Sequence, residues 1–441
     1  MAGKPARPGL ALGLLFAINL LNFYDRHILG AVTEPIRREW GLTDTQLGWL
    51  GAAFILLYAA VGVPFGRLAD RFSRKALLTA GLLFWSVLTA LSGAAAGFWS
   101  LFATRLGMGI GEAVCAPVAS SLIGDLYPAS RRSWAMAVFM LGLPAGAALS
   151  FFGTGAIAYS LGWRAAFFVA GAPGCILALL IGKLLGDPPR GAAETVNVGA
   201  RRRAGSAFLV VLKIPTMWWI IISGALHNFN MYALAQFLPS FLIRSHGLDL
   251  RRAGFVSGAI FGAAGATGLL LGGRLGDSLA RSRANGRLCL GAVCLFASVP
   301  LSLAALGQQP GSPHRFLLWM LPACTLLYVY YSVVYSSIHD VVEPSLRGTA
   351  MAIYFLAMYA LGGAAGPVVT GKASDFLARR AASGTVLSET ARAAGLHQAM
   401  YLIPVLELLT GVVLYLGSRM VVRDQRNLAE WMAGASQPAV R

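Results

Sequence analysis

GRLADRFSRK, residues 66–75, closes one apolar run of the chain, and GRLGDSLARSR, residues 273–283, closes another in the second half. Two further pairs of stretches match in the same order: YPASRRSWAMA from Tyr127 with EPSLRGTAMA from Glu343, and NFYD from Asn22 with NFNMY from Asn228. Three ordered matches are hard to produce by chance. The chain is therefore predicted to consist of two similar halves.

Apolar runs recur along the whole chain, and each is long enough to cross a hydrocarbon core of about 30 Å. The 441 residues are 57% apolar and 12% charged, whereas an ordinary soluble domain is about 25% charged. These features predict an all-α membrane protein with twelve transmembrane helices in two six-helix halves. The predicted spans are 8–32, 45–69, 76–97, 98–125, 133–159, 164–185, 215–243, 253–276, 286–306, 315–341, 348–376 and 396–418.

The basic residues are distributed unevenly between the two sides of the predicted membrane. The net charge is +18, and most Lys and Arg fall on one side if the N-terminus is cytoplasmic, as the positive-inside rule requires. The charge is thus interpreted as topogenic, with no nucleic-acid partner. We expect a multi-pass protein of the cell (inner) membrane with both termini cytoplasmic, divided into a bundle at 1–185, a linker at 186–213, a bundle at 214–418 and a tail at 419–441.

Four charged residues of the first half lie well inside predicted spans, away from the span ends, where each charge costs roughly 2.5–3.5 kcal/mol. Asp25 and Arg26 lie about eight residues short of the outer end of the first span, and Arg105 lies at a similar depth in the fourth. Glu112 follows seven residues later, on the same helix face. Asp25 is predicted to pair with Arg105, and Arg26 with Glu112, in a proton-coupling cluster. A static ion network is the alternative.

The second half has few buried charges but many polar aromatic residues. Tyrosines three or four positions apart share one helix face, and those of the tenth span lie well inside it. We predict that they line an amphipathic substrate cavity, with Tyr331 and Tyr335 as the principal residues. The complete predicted set is Tyr58, Met136, Phe139, Met140, His227, Asn228, Asn230, Tyr232, Tyr331, Tyr335 and Tyr354.

GRLADRFSRK resembles the signature loop of the major facilitator superfamily, which lies between the second and third spans. This resemblance implies the fold of that superfamily and a cytoplasmic gate involving Asp70, Arg71 and Arg74, with Asp277 in the second copy. RLGMGIGEA, residues 105–113, is similar to an arginine- and glycine-containing motif that the superfamily associates with proton coupling. Proteins built from parallel repeats carry their substrate between the halves, at mid-depth.

The first half resembles the spinster family more specifically, over roughly residues 15–192. The stretches that carry the likeness are NLLNFYDRHILG, FGRLADRFSRKALL, FWSLFATRLGMGIGEA, IGDLYPASRRS and GDPPRG. The resemblance implies a proton-coupled secondary active transporter of a lysophospholipid- or sphingoid-phosphate-like amphiphile, working by alternating access. A carrier of a small organic anion, sugar acid or drug is the alternative, because one scaffold hosts many ligands.

The sequence lacks the motifs of several other classes of protein. No Walker loop, metal-ligand cluster or hydrolase motif occurs in the chain, which predicts a transporter driven by the proton gradient, with no cofactor or metal and no enzymatic activity. A membrane sensor, an intramembrane enzyme, a channel and an uncoupled facilitator remain further alternatives. We expect a monomer whose partners are protons, the lipid bilayer and a small-molecule or lipid substrate.

Overall fold

The computed structural model describes residues 7–189, 207–343, 346–382 and 387–436, and these residues are almost entirely helical. Six long helices form the first half. They are α1 (Pro8–Trp40), α2 (Asp44–Arg71), α3 (Arg74–Gly93), α4 (Phe98–Glu112 and Cys115–Leu126), α5 (Ala129–Met140, Gly142–Leu149 and Gly155–Leu161, with a π-helical turn at Ser150–Thr154) and α6 (Trp163–Leu184).

Six more helices form the second half, after a short helix at Ala207–Leu212. They are α7 (Pro215–His246), α8 (Leu250–Ala259 and Gly265–Ser282, with a π-helical turn at Ile260–Ala264), α9 (Gly286–Leu306), α10 (Pro313–Val341), α11 (Arg347–Ala357 and Ala365–Ala381, with a π-helical turn at Met358–Gly363) and α12 (Glu389–Met400 and Leu402–Ser436). The predicted linker falls partly outside the described residues, at 190–206.

All twelve predicted spans coincide with these helices. Within the described residues, eleven are apolar and long enough to cross a membrane. α7 is the twelfth: its 32 residues extend about 48 Å at 1.5 Å per residue, and its polar side chains His227, Asn228 and Asn230 are buried in the protein. Hydropathy thus located every span, because the apolar faces meet lipid or each other.

The C-terminal tail predicted at 419–441 is helical over its described part. Its residues up to Ser436 continue α12 without a break. Asp424 accepts hydrogen bonds from the main-chain nitrogen and hydroxyl of Thr216, at 2.9 and 2.7 Å. This cap at the start of α7 holds the extension of α12 against the second half.

The two halves pack closely at one end of the molecule. We call the end where α1 begins and α12 ends the near end, and the opposite end the far end. Toward the far end, Gly30 of α1 lies against the main chain of Ala235 on α7, and Gly48 of α2 against that of Pro367 on α11. A Cβ at either glycine would collide with those carbonyl oxygens. Glycine therefore permits the close approach of helices on which this closed end depends.

Candidate functional site

Asp25, Arg26, Arg105 and Glu112, which we call the charged cluster, are all buried between α1 and α4. The Nε of Arg26 donates a hydrogen bond to Oε2 of Glu112 at 3.2 Å. This pair was predicted because Arg26 lies at the depth of Arg105 and Glu112 shares the helix face of Arg105, and the structure confirms the contact. An ion pair buried in a bilayer is costly unless each charge is compensated.

The second predicted pair is wrong. Nη1 of Arg105 donates to the main-chain oxygen of Asp25, at 3.2 Å, rather than to its carboxylate. Oδ2 of Asp25 instead accepts a hydrogen bond from the indole nitrogen of Trp85 on α3, also at 3.2 Å. Successive residues of a helix point about 100° apart, so Arg26 faces α4 while Asp25 faces α3. The position of Asp25 in the span predicted its depth in the membrane but not the direction of its side chain. No feature of the sequence indicated Trp85 as its partner.

The guanidinium of Arg26 lies among aromatic rings from both halves. Its carbon is 4.2 Å from the centroid of Tyr58 on α2 and 5.9 Å from that of Tyr359 on α11. Phe54 of α2 lies 5.2 Å away. Rings at these distances attract a cation through their quadrupoles. Arg26 therefore connects the charged cluster of the first half to a side chain of the second half.

An aromatic surface continues from Tyr359 into the second half. The ring centroids of Tyr331 and Tyr335 on α10 are 5.8 Å apart, and Tyr335 is 5.6 Å from Phe355 on α11. Tyr232 of α7 is 6.2 Å from Tyr359. We call these five residues the tyrosine wall. Tyr331 and Tyr335 were both predicted for the cavity, and the structure places them next to one another.

Two polar residues of α7 take different positions around this wall. Asn228 accepts a hydrogen bond from the hydroxyl of Tyr331 at 3.0 Å, so this predicted residue supports the wall. Asn230 was also predicted for the cavity, but its side chain donates to the carbonyl of Ile403 on α12 at 3.3 Å. Residues two apart on a helix point about 200° from each other, so Asn230 faces away from the wall, and that prediction is wrong.

Other predicted cavity residues are buried within one half. His227 is stacked on Tyr330 at 4.0 Å, and the hydroxyl of Tyr354 donates to that of Tyr330 at 3.4 Å. The side chains of His227 and Tyr354 are inaccessible to solvent. Phe139 packs in the core of the first half. These three residues belong to helix packing rather than to a cavity lining, since a tyrosine or histidine pattern does not distinguish the two. On α5, Met136 is half-buried and Met140 is 44% exposed.

The predicted gate residues lie at the near end. The side chains of Asp70 and Arg71 are outside the described residues. Arg74 donates to Asp125 of α4 and, at 3.0 Å, to Asp187 after α6. Its described partners thus belong to the first half, rather than bridging the halves.

The second half repeats this arrangement. Arg287 of α9 donates to Asp277 of α8 at 2.8 Å and also to Asp340 of α10. Arg287 and Asp340 occupy the places that Arg74 and Asp125 occupy in the first half. The internal repeat therefore extends to a buried or half-buried ion pair in each half, which sequence matching did not find.

A group of charged residues joins the halves at the far end, and sequence reasoning missed it. Arg244 of α7 donates through Nε to Glu34 of α1 at 2.8 Å, and through both terminal nitrogens to Asp44 of α2 at 2.8 Å each. Arg37 also donates to Glu34, at 2.8 Å. All four side chains are almost fully buried. We call them the far-end lattice.

Asp375 of α11 adds a second connection beside the lattice. Its carboxylate accepts hydrogen bonds from the main-chain nitrogens of Asp44 and Thr45, at 3.0 and 2.8 Å, and so caps the start of α2. The sequence carries only a weak signal for this region, because the predicted first span ends at residue 32 and the charges that follow it are typical of a loop. The partner across the interface depends on tertiary packing alone.

Comparisons with known proteins agree with this architecture. The family model described as the Major Facilitator Superfamily matches residues 15–367. An MFS-type efflux pump of Mycolicibacterium smegmatis is 33% identical over 384 residues, covering 85% of this chain and 86% of the relative. Protein spinster homolog 1 of Homo sapiens is 30% identical over 407 residues, covering 85% and 75%. The predicted twelve-helix fold and the spinster resemblance are thus confirmed.

A solved structure also superimposes closely on this one. It is a bacterial homolog to the human lysosomal transporter spinster, in an inward-facing and unoccupied conformation. The TM-score is 0.85 at 27% sequence identity, and the match covers 95% of this chain and 98% of the other. A D-xylose-proton symporter shares the fold, with a TM-score of 0.73 at 16% identity.

Proposed function

Because the chain belongs to the spinster family of the major facilitator superfamily, we propose that it is a proton-coupled secondary active transporter that works by alternating access. The observation that supports this proposal most directly is the Arg26–Glu112 ion pair at 3.2 Å. It is buried in the first half, yet Arg26 also lies against Tyr359 of the second half. A change in this pair can therefore alter the interface that opens and closes.

In this mechanism, Glu112 carries the coupled proton. When Glu112 is ionised, it accepts from Arg26 and the pair is nearly neutral. A proton on Glu112 removes the negative charge, and Arg26 is then left as a cation held by the rings of Tyr58 and Tyr359. Loss of that proton restores the ion pair. Asp25 is the second candidate for the proton. Its main-chain oxygen positions Arg105, and its carboxyl group accepts a hydrogen bond from Trp85.

The contacts between the halves support an inward-facing state. They lie at the far end, where Arg244 joins Glu34 and Asp44. By the positive-inside rule, the near end is cytoplasmic. Both termini then lie on the cytoplasmic side of the cell membrane, and the closed end lies on the outer side. Transport then requires the far-end lattice to separate, while Asp70, Arg71, Arg74 and Asp277 contribute to closure at the near end.

We infer an amphiphilic substrate whose headgroup carries an anionic group, such as a lysophospholipid or a sphingoid phosphate. Arg26 supplies a cation at one edge of the tyrosine wall, and the rings of Tyr331, Tyr335 and Phe355 supply apolar surface with polar edges. An acyl chain suits the rings, whereas an anionic headgroup suits Arg26. We expect the protein to act as a monomer, driven by the proton gradient without a cofactor.

A second candidate is export of a small organic anion or drug. The relative from Mycolicibacterium smegmatis is described as an efflux pump, and a compact aromatic compound would also suit the tyrosine wall. The two candidates differ in whether the ligand carries a long hydrocarbon chain.

Reconstitution in liposomes distinguishes these candidates. An outwardly or inwardly directed pH gradient is imposed, and a fluorescent lysophospholipid, a sphingoid phosphate, a sugar acid and a cationic dye are offered in parallel. Gradient-dependent movement of the first two supports a lipid carrier. Movement of only the sugar acid or the dye would contradict the lipid proposal and support the second candidate.

A further inference from the structure

Glu407 of α12 is a buried carboxyl group outside the charged cluster. It is fully inaccessible, and among the described residues no Arg, Lys or His lies within ion-pair distance of its oxygens. Burial of an ionised carboxylate without a cation is very costly, so such groups usually become neutral. Glu407 is thus in an environment that disfavours its charged form.

Two hydroxyl groups surround this carboxyl. Ser302 of α9 lies 2.9 Å from Oε1 of Glu407, and Ser298, one turn earlier on the same face, lies 3.0 Å from Oε2. The hydroxyl of Ser298 is also 2.8 Å from the main-chain oxygen of Leu295. A hydroxyl carries a single hydrogen, so Ser298 cannot donate fully to both acceptors.

We propose that Glu407 is a second proton-binding site of this protein, occupied throughout the transport cycle. The protonated carboxyl donates from Oε2 to the hydroxyl oxygen of Ser298, and Ser298 donates to the carbonyl of Leu295. Ser302 donates to Oε1. Every hydrogen in this chain then has one acceptor, and no charge is buried.

The surroundings of Glu407 separate this site from the substrate path. Its neighbours are Ser298 and Ser302 on α9, and within the described part of the chain the thiol of Cys324 on α10 is a titratable group that faces it. On the α7 side, Asn230 bonds to the carbonyl of Ile403, one turn before Glu407. The proton therefore joins α12 to α9 inside the second half and is not one of the protons that move with substrate. The protonation of Glu407 does not depend on the proposed function, whereas its separation from the protons that move with substrate rests on that function.

Infrared spectroscopy of the purified protein in liposomes tests the site. The wild type at neutral pH should show the carbonyl stretching band of a protonated carboxyl group, and Glu407→Gln should lose intensity in that band. Glu430→Gln is the matched control, because Glu430 lies on an exposed position of the same helix. An unchanged band in Glu407→Gln, or loss of carboxylate intensity instead, would overturn the proposal.

Thermal unfolding provides a second measurement. Glutamine keeps one donor and one acceptor in the place of a neutral carboxyl, so the Tm of Glu407→Gln should stay within about 2 °C of wild type. Glu407→Ala removes both partners of the serines and should lower Tm by more than that. The wild-type pH dependence of transport should persist in Glu407→Gln. Loss of that dependence would show that the proton cycles and would contradict permanent occupancy.

Discussion

Arg244 and Asp44 form two parallel hydrogen bonds of 2.8 Å across the interface between the two halves. Such bidentate pairs between a guanidinium and a carboxylate are directional as well as strong. Arg244 also holds Glu34, so a single side chain of the second half fixes two helices of the first. The far-end lattice is therefore the group of contacts that must break before the far end can open.

Arg244→Ala is expected to weaken closure of the far end. Removing one partner of a buried ion pair costs about 3–5 kcal/mol, because the other charge is left uncompensated. The equilibrium should therefore shift toward separation of the halves. Spin labels at the exposed positions Leu161 and Gln309, in a background without native cysteines, should report longer and broader distances by pulsed electron paramagnetic resonance.

The matched control for this change is Arg252→Ala on α8. Arg252 pairs with Asp249 at 3.4 Å, but its side chain is 76% exposed, and an exposed pair contributes about 0–1 kcal/mol. Its distance distribution should match that of the unchanged protein. Equal distributions for Arg244→Ala and the control would show that the lattice does not hold the far end.

Tyr359→Ala should weaken the connection between Arg26 and the second half. A desolvated cation–π contact is worth about 2 kcal/mol, which corresponds to about a 30-fold loss in apparent affinity for a charged amphiphile. Tyr359→Phe keeps the ring and should be close to wild type. Transport at a series of lysophospholipid concentrations measures the effect, with Tyr159→Ala, an exposed tyrosine of α5, as the control. Equal KM values for Tyr359→Ala and the control would exclude this role.

The near-end arginines are expected to contribute unequally to stability. The side chain of Arg74 is 2% exposed and that of Arg287 is 20% exposed, and loss of a more deeply buried ionic contact is more costly. Arg74→Ala should therefore lower the Tm of the purified protein more than Arg287→Ala does. Arg423→Ala, 66% exposed, serves as the control and should leave Tm unchanged. The reverse order would contradict this assignment.

The sequence predicted the spans better than the contacts between them. Hydropathy depends on local composition, so all twelve helices could be located, including α7 despite its buried Asn228 and Asn230. The Arg26–Glu112 pair could be predicted because charges inside a membrane usually pair with one another. The side-chain direction of Asp25 could not, since it depends on the rotation of α1 against α3.

The far-end lattice could not be predicted from the sequence either, and the reason is different. Glu34 and Arg37 follow the most apolar part of α1, so hydropathy assigns them to a loop. Their burial results from Arg244, which is more than 200 positions away in the chain. Similarly, His227 and Tyr331 are both residue types that are common in a cavity lining. The packing of α7 against α10 buries the ring of His227 and leaves that of Tyr331 accessible, and the sequence does not show this packing.

The most direct test of proton coupling is transport by Glu112→Gln in liposomes carrying a fluorescent lysophospholipid. Glutamine keeps the size of the side chain but removes the charge that binds Arg26 and the capacity to take up a proton. We expect wild type to accumulate the lipid when a pH gradient is imposed, and Glu112→Gln to exchange it between compartments without accumulation. Accumulation by Glu112→Gln at the wild-type rate and extent would contradict the account.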